Sequence, residues 1–295
     1  MEKIKDLFRS KTSYSKRFTR SKVGNFFYII FLVLAGLYSM LPLIYAVMTS
    51  FKPIEELLIF PPTFLVKRPT LLNYLSLPDL LTSLEIPLSR YIFNSLFVAV
   101  VTTFLYIISS SMAAFALSKG RFKGKNVYFW IIQFALMFNA YTLSIPCYLV
   151  YAKLNLIDTY WIYILPNLAS TLGVFLVKQY IEGYVPDALM EAAKIDGAGY
   201  FRVFWNIVMP TIKPAWLTLM LFGFRDIWTN VPNSTIFTEE LKNLPMITSQ
   251  IVAGGMARAG SSMAMTVIMM IPPIVIYMIS QSNVIEAMTS AGIKE

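Results

Sequence analysis

The sequence predicts an all-α integral membrane protein with six transmembrane helices, and three observations carry that prediction. Hydrophobic residues make up 57% of the chain and charged ones only 14%. The apolar residues gather in long runs instead of alternating, which a soluble core does not require. Cations collect at the ends of those runs in a consistent order. A bilayer core of about 30 Å takes roughly 20 apolar residues per helix. The adequate stretches are Phe26 to Met48, Ile92 to Leu117, Val127 to Tyr151, Trp161 to Tyr180, Thr211 to Val231 and Ser262 to Ser280. Each is expected to be helical, because hydrocarbon offers no partner to a free backbone group.

The first run follows Lys3, Lys5, Arg9, Lys11, Lys16, Arg17, Arg20 and Lys22, a basic tail that resembles the start of a signal peptide. The run is too long for one and reaches Pro42 and Thr49-Ser50-Phe51-Lys52 without a small-residue cleavage site, so it is expected to stay as a helix. Lys and Arg flanking a span stay cytoplasmic, which places the N-terminus inside. Counting alternately from there puts the loop Lys119-Gly120-Arg121-Phe122-Lys123-Gly124-Lys125 inside, as its cations and lack of acids require. The segments 51–91, 152–160 and 230–261 then lie outside, and 182–210 and the C-terminus inside. The expected organisation is a basic tail over 1–25, a six-helix body over 26–283 with a cytoplasmic elbow at 186–210, and a cytoplasmic tail over 284–295.

Several chemistries are excluded by inventory. The chain has no His and a single Cys, Cys147, which removes disulfides, imidazole catalysis and the usual zinc sites. The nearest approach to a phosphate loop, Gly120 to Lys125, lacks both the spacing and the hydroxyl that would hold magnesium. No cofactor is implied. A net charge of +9 with Phe8, Tyr14 and Phe18 among the tail cations raises nucleic acid as a partner. Anchorage against anionic lipid accounts for the same residues, so membrane lipid is the expected partner and nucleic acid is not.

The segment after the fourth run carries more helix punctuation than a connection needs. Pro186 suits a first helical position and Asp187 the positive end of the helix dipole. Ala188 to Ile195 are good helix formers, with Leu189, Ala192, Ala193 and Ile195 expected to make a small apolar face. Gly197 can take positive φ and end the helix, and Tyr200 to Val208 restart it before Pro210 and Pro214. Small residues at Ala192, Ala193, Gly197 and Ala198 permit close approach of another surface, and Glu191 offers a carboxylate that an Arg can grip with two hydrogen bonds. The alternative is an amphipathic helix flat on the headgroups, with Phe201, Phe204, Trp205 and Val208 dipped inward.

In its order, Glu191-Ala192-Ala193, then Asp196-Gly197, then Pro210, this block resembles the cytoplasmic loop of the membrane subunits of ATP-binding-cassette (ABC) importers. The resemblance runs from about Gly36 onward and is nearest to the smaller permease of carbohydrate importers, the group that contains the maltose permease. It includes Pro61-Pro62-Thr63-Phe64, Pro69 to Tyr74, Asn94-Ser95-Leu96, Ala113 to Ser118 before Arg121-Phe122, and Ile145-Pro146. It departs at the C-terminus, where Ala287 and Glu295 replace family glycines, at Phe138-Asn139-Ala140, and at Trp228-Thr229-Asn230.

The resemblance implies the six-helix fold of type I ABC importer permeases in a prokaryotic cell membrane, with no catalysis in this chain. It also implies a second homologous permease, two ABC ATPase subunits, an extracellular solute-binding protein and a carbohydrate substrate. Glu191 becomes the ionic anchor to an ATPase, while Ala192, Ala193, Asp196, Gly197 and Ala198 shape the elbow, a coupling helix. The outer loop 230–261 becomes the element that meets the binding protein.

A sugar path needs inward polar groups, and Ser109, Ser110, Ser111, Gln133, Asn139, Asn167, Ser170 and Thr171 compete for that role with interhelical packing. Asn139 is the better candidate, with Tyr141 beside it supplying an aromatic surface for a sugar ring. Arg225 and Asp226 carry charge next to the membrane, where they either neutralise each other or, with Trp228 and Asn230, form an external gate. Arg225 would then suit an acidic oligosaccharide; a polyol is the other cargo considered. A secondary transporter would need buried acids or His and often repeats its halves, and spans two, three, four and six lack Asp and Glu. A structural scaffold would explain the spans but not the elbow.

Overall fold

A computed structural model describes residues 22–82, 86–138, 140–232 and 234–292; at 22, 81–82, 140–141 and 282–292 only the backbone is described. All regular structure among the described residues is helical. The chain divides into two bodies, 1–45 and 46–295. Helix α1, Lys22–Ser50, supplies the described part of the first, and its large side chains from Val23 to Leu43 are exposed almost all round, as lipid contact requires.

The second body is built on α3, Leu88–Lys119, which follows α2, Leu72–Thr82. Beyond the basic loop come α4, Lys125–Ala135, and α5, Ala140–Lys153, then α6, Trp161–Leu168, and α7, Thr171–Tyr184. The elbow contains α8, Asp187–Ile195, and α9, Tyr200–Val203, which runs on through a π turn, Phe204–Val208, to Thr211. Last are α10, Lys213–Trp228, α11, Leu244–Ala253, and α12, Ala259–Gly292. Helix α3 packs against α6, α7 and α10, and α10 against α12.

Among the described residues three helices are long and apolar enough to cross a bilayer alone, 23–50, 88–119 and 256–281, and up to five if each bent pair forms one span. The expected fourth span is such a pair, α6 and α7 bent by 40°, and Ser170 causes the restart: its Oγ accepts from the Gly173 N–H and caps α7. The expected third span is interrupted over 136–138, after α4. The expected fifth span begins after an 80° bend between the 200–211 segment and α10. Pro214 lies at the second position of α10, where a missing amide costs nothing.

Two apolar clusters divide the length of α3. At its Leu88 end Tyr91, Val98 and Ala99 join Tyr163 of α6, Phe224 and Trp228 of α10, Ile247 of α11 and Met265 of α12. At its Lys119 end Ile107, Ala114 and Phe115 join Val177 and Ile181 of α7, the elbow, and Ile212 and Leu219 near the start of α10. Tyr106 sits where α7 and α10 come nearest to α3. A Cβ on Gly223 would lie 2.6 Å from the Tyr106 ring, and one on Gly173 only 2.9 Å from its hydroxyl, so both glycines are required for this close approach.

Candidate functional site

The elbow is the best-defined candidate site, and its geometry follows from a short list of residues. Pro186, with φ −62° and ψ 147°, sits just before α8 as its N-cap, one position earlier than the sequence predicts. Asp187 opens the helix and accepts a 2.6 Å hydrogen bond from Lys119 Nζ at the end of α3. That hydrogen bond and the Lys119 charge hold the carboxyl below its ordinary range against a small burial cost, helped by Arg121 and Lys125.

Helix α8 ends as the sequence predicts. Gly197 takes φ +74°, its N–H donates to Lys194 O at 3.0 Å, and the Ala198 N–H reaches back to Ala193 O at 2.9 Å. This bond pair is a Schellman cap, and it needs a residue at ease with left-handed backbone. The space beside Gly197 is open, so the requirement for glycine is conformational and not steric.

The buried face of α8 differs from the expected one. Met190 and Ala193 point into the cluster at the Lys119 end, joined by Val185, while Leu189, Ala192 and Ile195 are exposed, Ile195 at 87%. Ala193, expected on the contact surface, instead holds the elbow to the body. Ala188, Glu191, Ala192 and Ile195 share the opposite, uncovered face, since a 3.6-residue turn brings these positions together. Glu191 forms no ion pair among the described residues. Asp196 and Gly197 are exposed at the tip and Ala198 is half-buried. In the second arm Val203, Phe204 and Val208 are buried, the Phe204 ring 5.7 Å from that of Phe115. Phe204 and Val208 are therefore occupied by protein contacts, and of the aromatics expected to dip into headgroups only Phe201 and Trp205 are exposed.

Of the expected substrate-path residues, the structure describes the side chains of Arg225, Trp228 and Asn230. Asn139 and the Tyr141 side chain lie outside the described residues. Trp228 is a core residue: 3% exposed, stacked on Phe224 at 5.6 Å, its indole N–H donating to Met269 O at 2.9 Å. It is not available as a gate. Arg225, Asp226 and Asn230 are exposed, and Arg225 and Asp226 form no ion pair among the described residues, so they do not neutralise each other. Ser109 donates to Tyr106 O and Leu168 O, and Asn167 to Tyr163 O, so these groups serve helix contacts. Ser110 and Ser111 are buried on α3, and Gln133 is exposed.

The 230–261 segment is more structured than a long loop. Asn94 of α3 donates to Glu240 O at 2.8 Å and Lys242 O at 2.9 Å and accepts from the Tyr160 hydroxyl at 2.8 Å. Tyr163 donates to Leu241 O, and Ser95 Oγ accepts from Leu244 N. Asp158 accepts from the N–H groups of Phe237 and Thr238 and from the Thr238 hydroxyl. The Thr238 hydroxyl and N–H, then the Phe237 N–H, hold its carboxyl below the usual range against a burial cost. Helix α11 buries Leu244, Met246, Ile247 and Ile251, leaving 252–258 as the exposed tip. The signals for this were in the sequence: Asn243-Leu244-Pro245 is a helix start, and Asn243 Oδ1 caps it by accepting from Met246 N.

A family described as "Binding-protein-dependent transport system inner membrane component" matches residues 106–290. A putative ABC transporter permease of a Caldicellulosiruptor species is 30% identical over 90% of this chain and 96% of its own. The arabinooligosaccharides transport system permease AraQ of Bacillus subtilis is 29% identical over 70% of this chain and 73% of its own. Among solved structures, a bacterial ABC transporter involved in import of the acidic polysaccharide alginate has a chain of the same fold. It gives a TM-score of 0.69 at 23% identity, covering 89% of this chain and 98% of that one.

Proposed function

The chain belongs to the binding-protein-dependent transport system inner membrane components, and from that premise we propose that its elbow is where a separate ATPase takes hold of a carbohydrate importer. It is a transport component of the membrane and not an enzyme. The partners are a second homologous permease, two ATPase subunits and an external solute-binding protein that delivers a sugar or oligosaccharide. Six spans with both termini cytoplasmic fit the distribution of Lys and Arg, with α4 and α5 together making the third.

One observation carries the docking assignment. The face of α8 bearing Ala188, Glu191, Ala192 and Ile195 is uncovered, while its other face is seated through Met190 and Ala193 in the body. A helix anchored on one side and bare on the other transmits a push from whatever binds the bare side. Glu191 supplies the ionic contact, Ala192 the close approach, and Asp196-Gly197 the tip, while Ala193 and Ala198 hold the elbow in place. Closure of the ATPases on ATP would draw the paired elbows together and turn the permeases outward, with no covalent step in this chain.

For cargo, AraQ is named for arabinooligosaccharide transport and the fold neighbour for alginate import, which supports a saccharide and keeps an acidic one in view. The exposed Arg225 favours the acidic alternative. In proteoliposomes holding the complete transporter, Gly197→Val and Glu191→Lys should each abolish sugar uptake while leaving the chain in the membrane. Uptake at the wild-type rate in both variants would falsify the docking assignment.

A further inference from the structure

Beside the elbow lies a cavity of about 490 Å³ lined by Met112 and Phe115 of α3, by Phe201 and Phe204 of the second arm, and at one end by Gly120 and Arg121. A smaller, polar cavity of about 210 Å³ shares Gly120, Arg121 and Tyr200 with it and is rimmed by Lys119, Lys125 and Lys194. Together they make one amphipathic recess with an apolar trough and a cationic mouth, and Arg121 stands where the two meet.

The cations at the mouth are not equivalent. Lys119 is bound to Asp187, and Lys125 donates to Ser118 O at 2.6 Å. Arg121 and Lys194 are exposed and form no ion pair among the described residues. The acids lining the mouth are Asp187, already paired, and Glu191. The recess thus offers positive charge to a ligand, and its trough offers aromatic and methionine surface that water does not satisfy.

We infer that this recess holds an anionic phospholipid, its phosphate between Arg121 and Lys194 and an acyl chain along Phe115, Phe201 and Phe204. Basic residues just beyond a spanning helix attract anionic headgroups, and a guanidinium grips a phosphate through two hydrogen bonds. A soluble anion would use the mouth but leave the trough exposed. A zwitterionic lipid would fill the trough but gain little at the mouth. The inference rests on the elbow lying at a membrane surface, as the proposed function has it, but its readout is lipid mass and does not depend on uptake.

The test is native mass spectrometry of the complete transporter in detergent, titrated with phosphatidylglycerol or phosphatidylcholine. Wild-type complex should keep phosphatidylglycerol in preference to phosphatidylcholine. Arg121→Ala should retain about fivefold less, and Arg121→Ala with Lys194→Ala about 25-fold less. Glycerol 3-phosphate, a headgroup without chains, should not displace the lipid. Equal retention by variants and wild type, equal retention of both lipids, or displacement by glycerol 3-phosphate would each overturn the assignment. So would a photo-crosslinker at position 201 that labels an ATPase subunit instead of lipid. A complex that keeps its ATPase while the variants lose no lipid removes the lipid site and leaves the docking reading untouched.

Discussion

The two ends of α3 are held by different forces. At the Lys119 end the elbow is seated by Met190, Ala193, Val203, Phe204 and Val208 against Phe115, Val177 and Ile181. At the Leu88 end the 237–244 segment is tied down by hydrogen bonds to Asn94, Ser95, Asp158 and Tyr163 as well as by the apolar cluster behind it. Apolar packing has no preferred direction, so a socket can rotate slightly without leaving a bond unmade. A hydrogen-bonded joint has one good geometry, and leaving it exposes buried donors and acceptors at a cost of about 1–3 kcal/mol each. The elbow end is therefore built to move as a unit, and the other end to keep its shape. Tyr106, wedged against Gly173 and Gly223, lies between the two regimes.

The sharpest way to break this contrast is to open the socket. Phe204 is 2% exposed and faces Phe115, so Phe204→Ala should cost about 3–5 kcal/mol through lost burial and the cavity left behind. Thermal unfolding of the purified complex should fall accordingly, and Phe204→Leu should recover much of the loss because apolar volume suffices. A Leu variant as damaged as the Ala one would mean that the elbow seat is geometrically exacting, and the contrast would fail.

Asn94→Ala attacks the other regime and should cost less, about 1–3 kcal/mol, by taking the Asn94 bond from Lys242 O and leaving Glu240 O and the Tyr160 hydroxyl with Arg90 alone. Here an apolar side chain of similar branched shape should not rescue: Asn94→Leu should be no better than Asn94→Ala. Proteolysis of the 237–244 segment in the intact complex is the measurement. Rescue by Leu would show that this end, too, is held by packing alone.

How far these regimes were legible in the sequence depended on whether a residue type specifies its own surroundings. Gly197 does, because only a left-handed turn makes glycine preferable there, and its φ of +74° agrees. Arg121 and Lys123 do as well, since an unpaired charge has to find water, and both are exposed. Within an apolar run, however, a residue facing lipid and one facing protein have the same composition. Hydropathy therefore located α3 and α12 but did not distinguish Trp228 in the core from an exposed gate, or choose Ala193 over Ala192 as the seated face of α8. The bend between the 200–211 segment and α10 was hidden for the same reason: Pro210 and Pro214 marked a boundary without giving its angle. Ser170 and Asn243 were readable as caps and Pro245 as a helix start, but the apolar runs and loop length around them outweighed that signal.

The smallest effect belongs to the one ion pair joining α3 to the elbow. Asp187 is exposed and Lys119 largely buried, so solvent and salt screen the bond, and removing it should leave the fold intact. Its contribution has a definite sign. The Asp187 carboxyl is held below its ordinary range by the Lys119 hydrogen bond and charge, so the pair supports the elbow at and above neutral pH. That support is present above the unfolded carboxylate's pKa and is lost as pH falls through the lower folded value. Hydrogen exchange of the 187–198 amides, corrected for intrinsic rates, should show weaker protection on acidification at low salt, and less pH dependence at high salt. Asp187→Asn should remove that dependence while leaving the Schellman bonds at Gly197 and Ala198 in place. If wild type and Asp187→Asn respond to acid alike, the pair does not hold the elbow, and apolar seating alone joins it to α3.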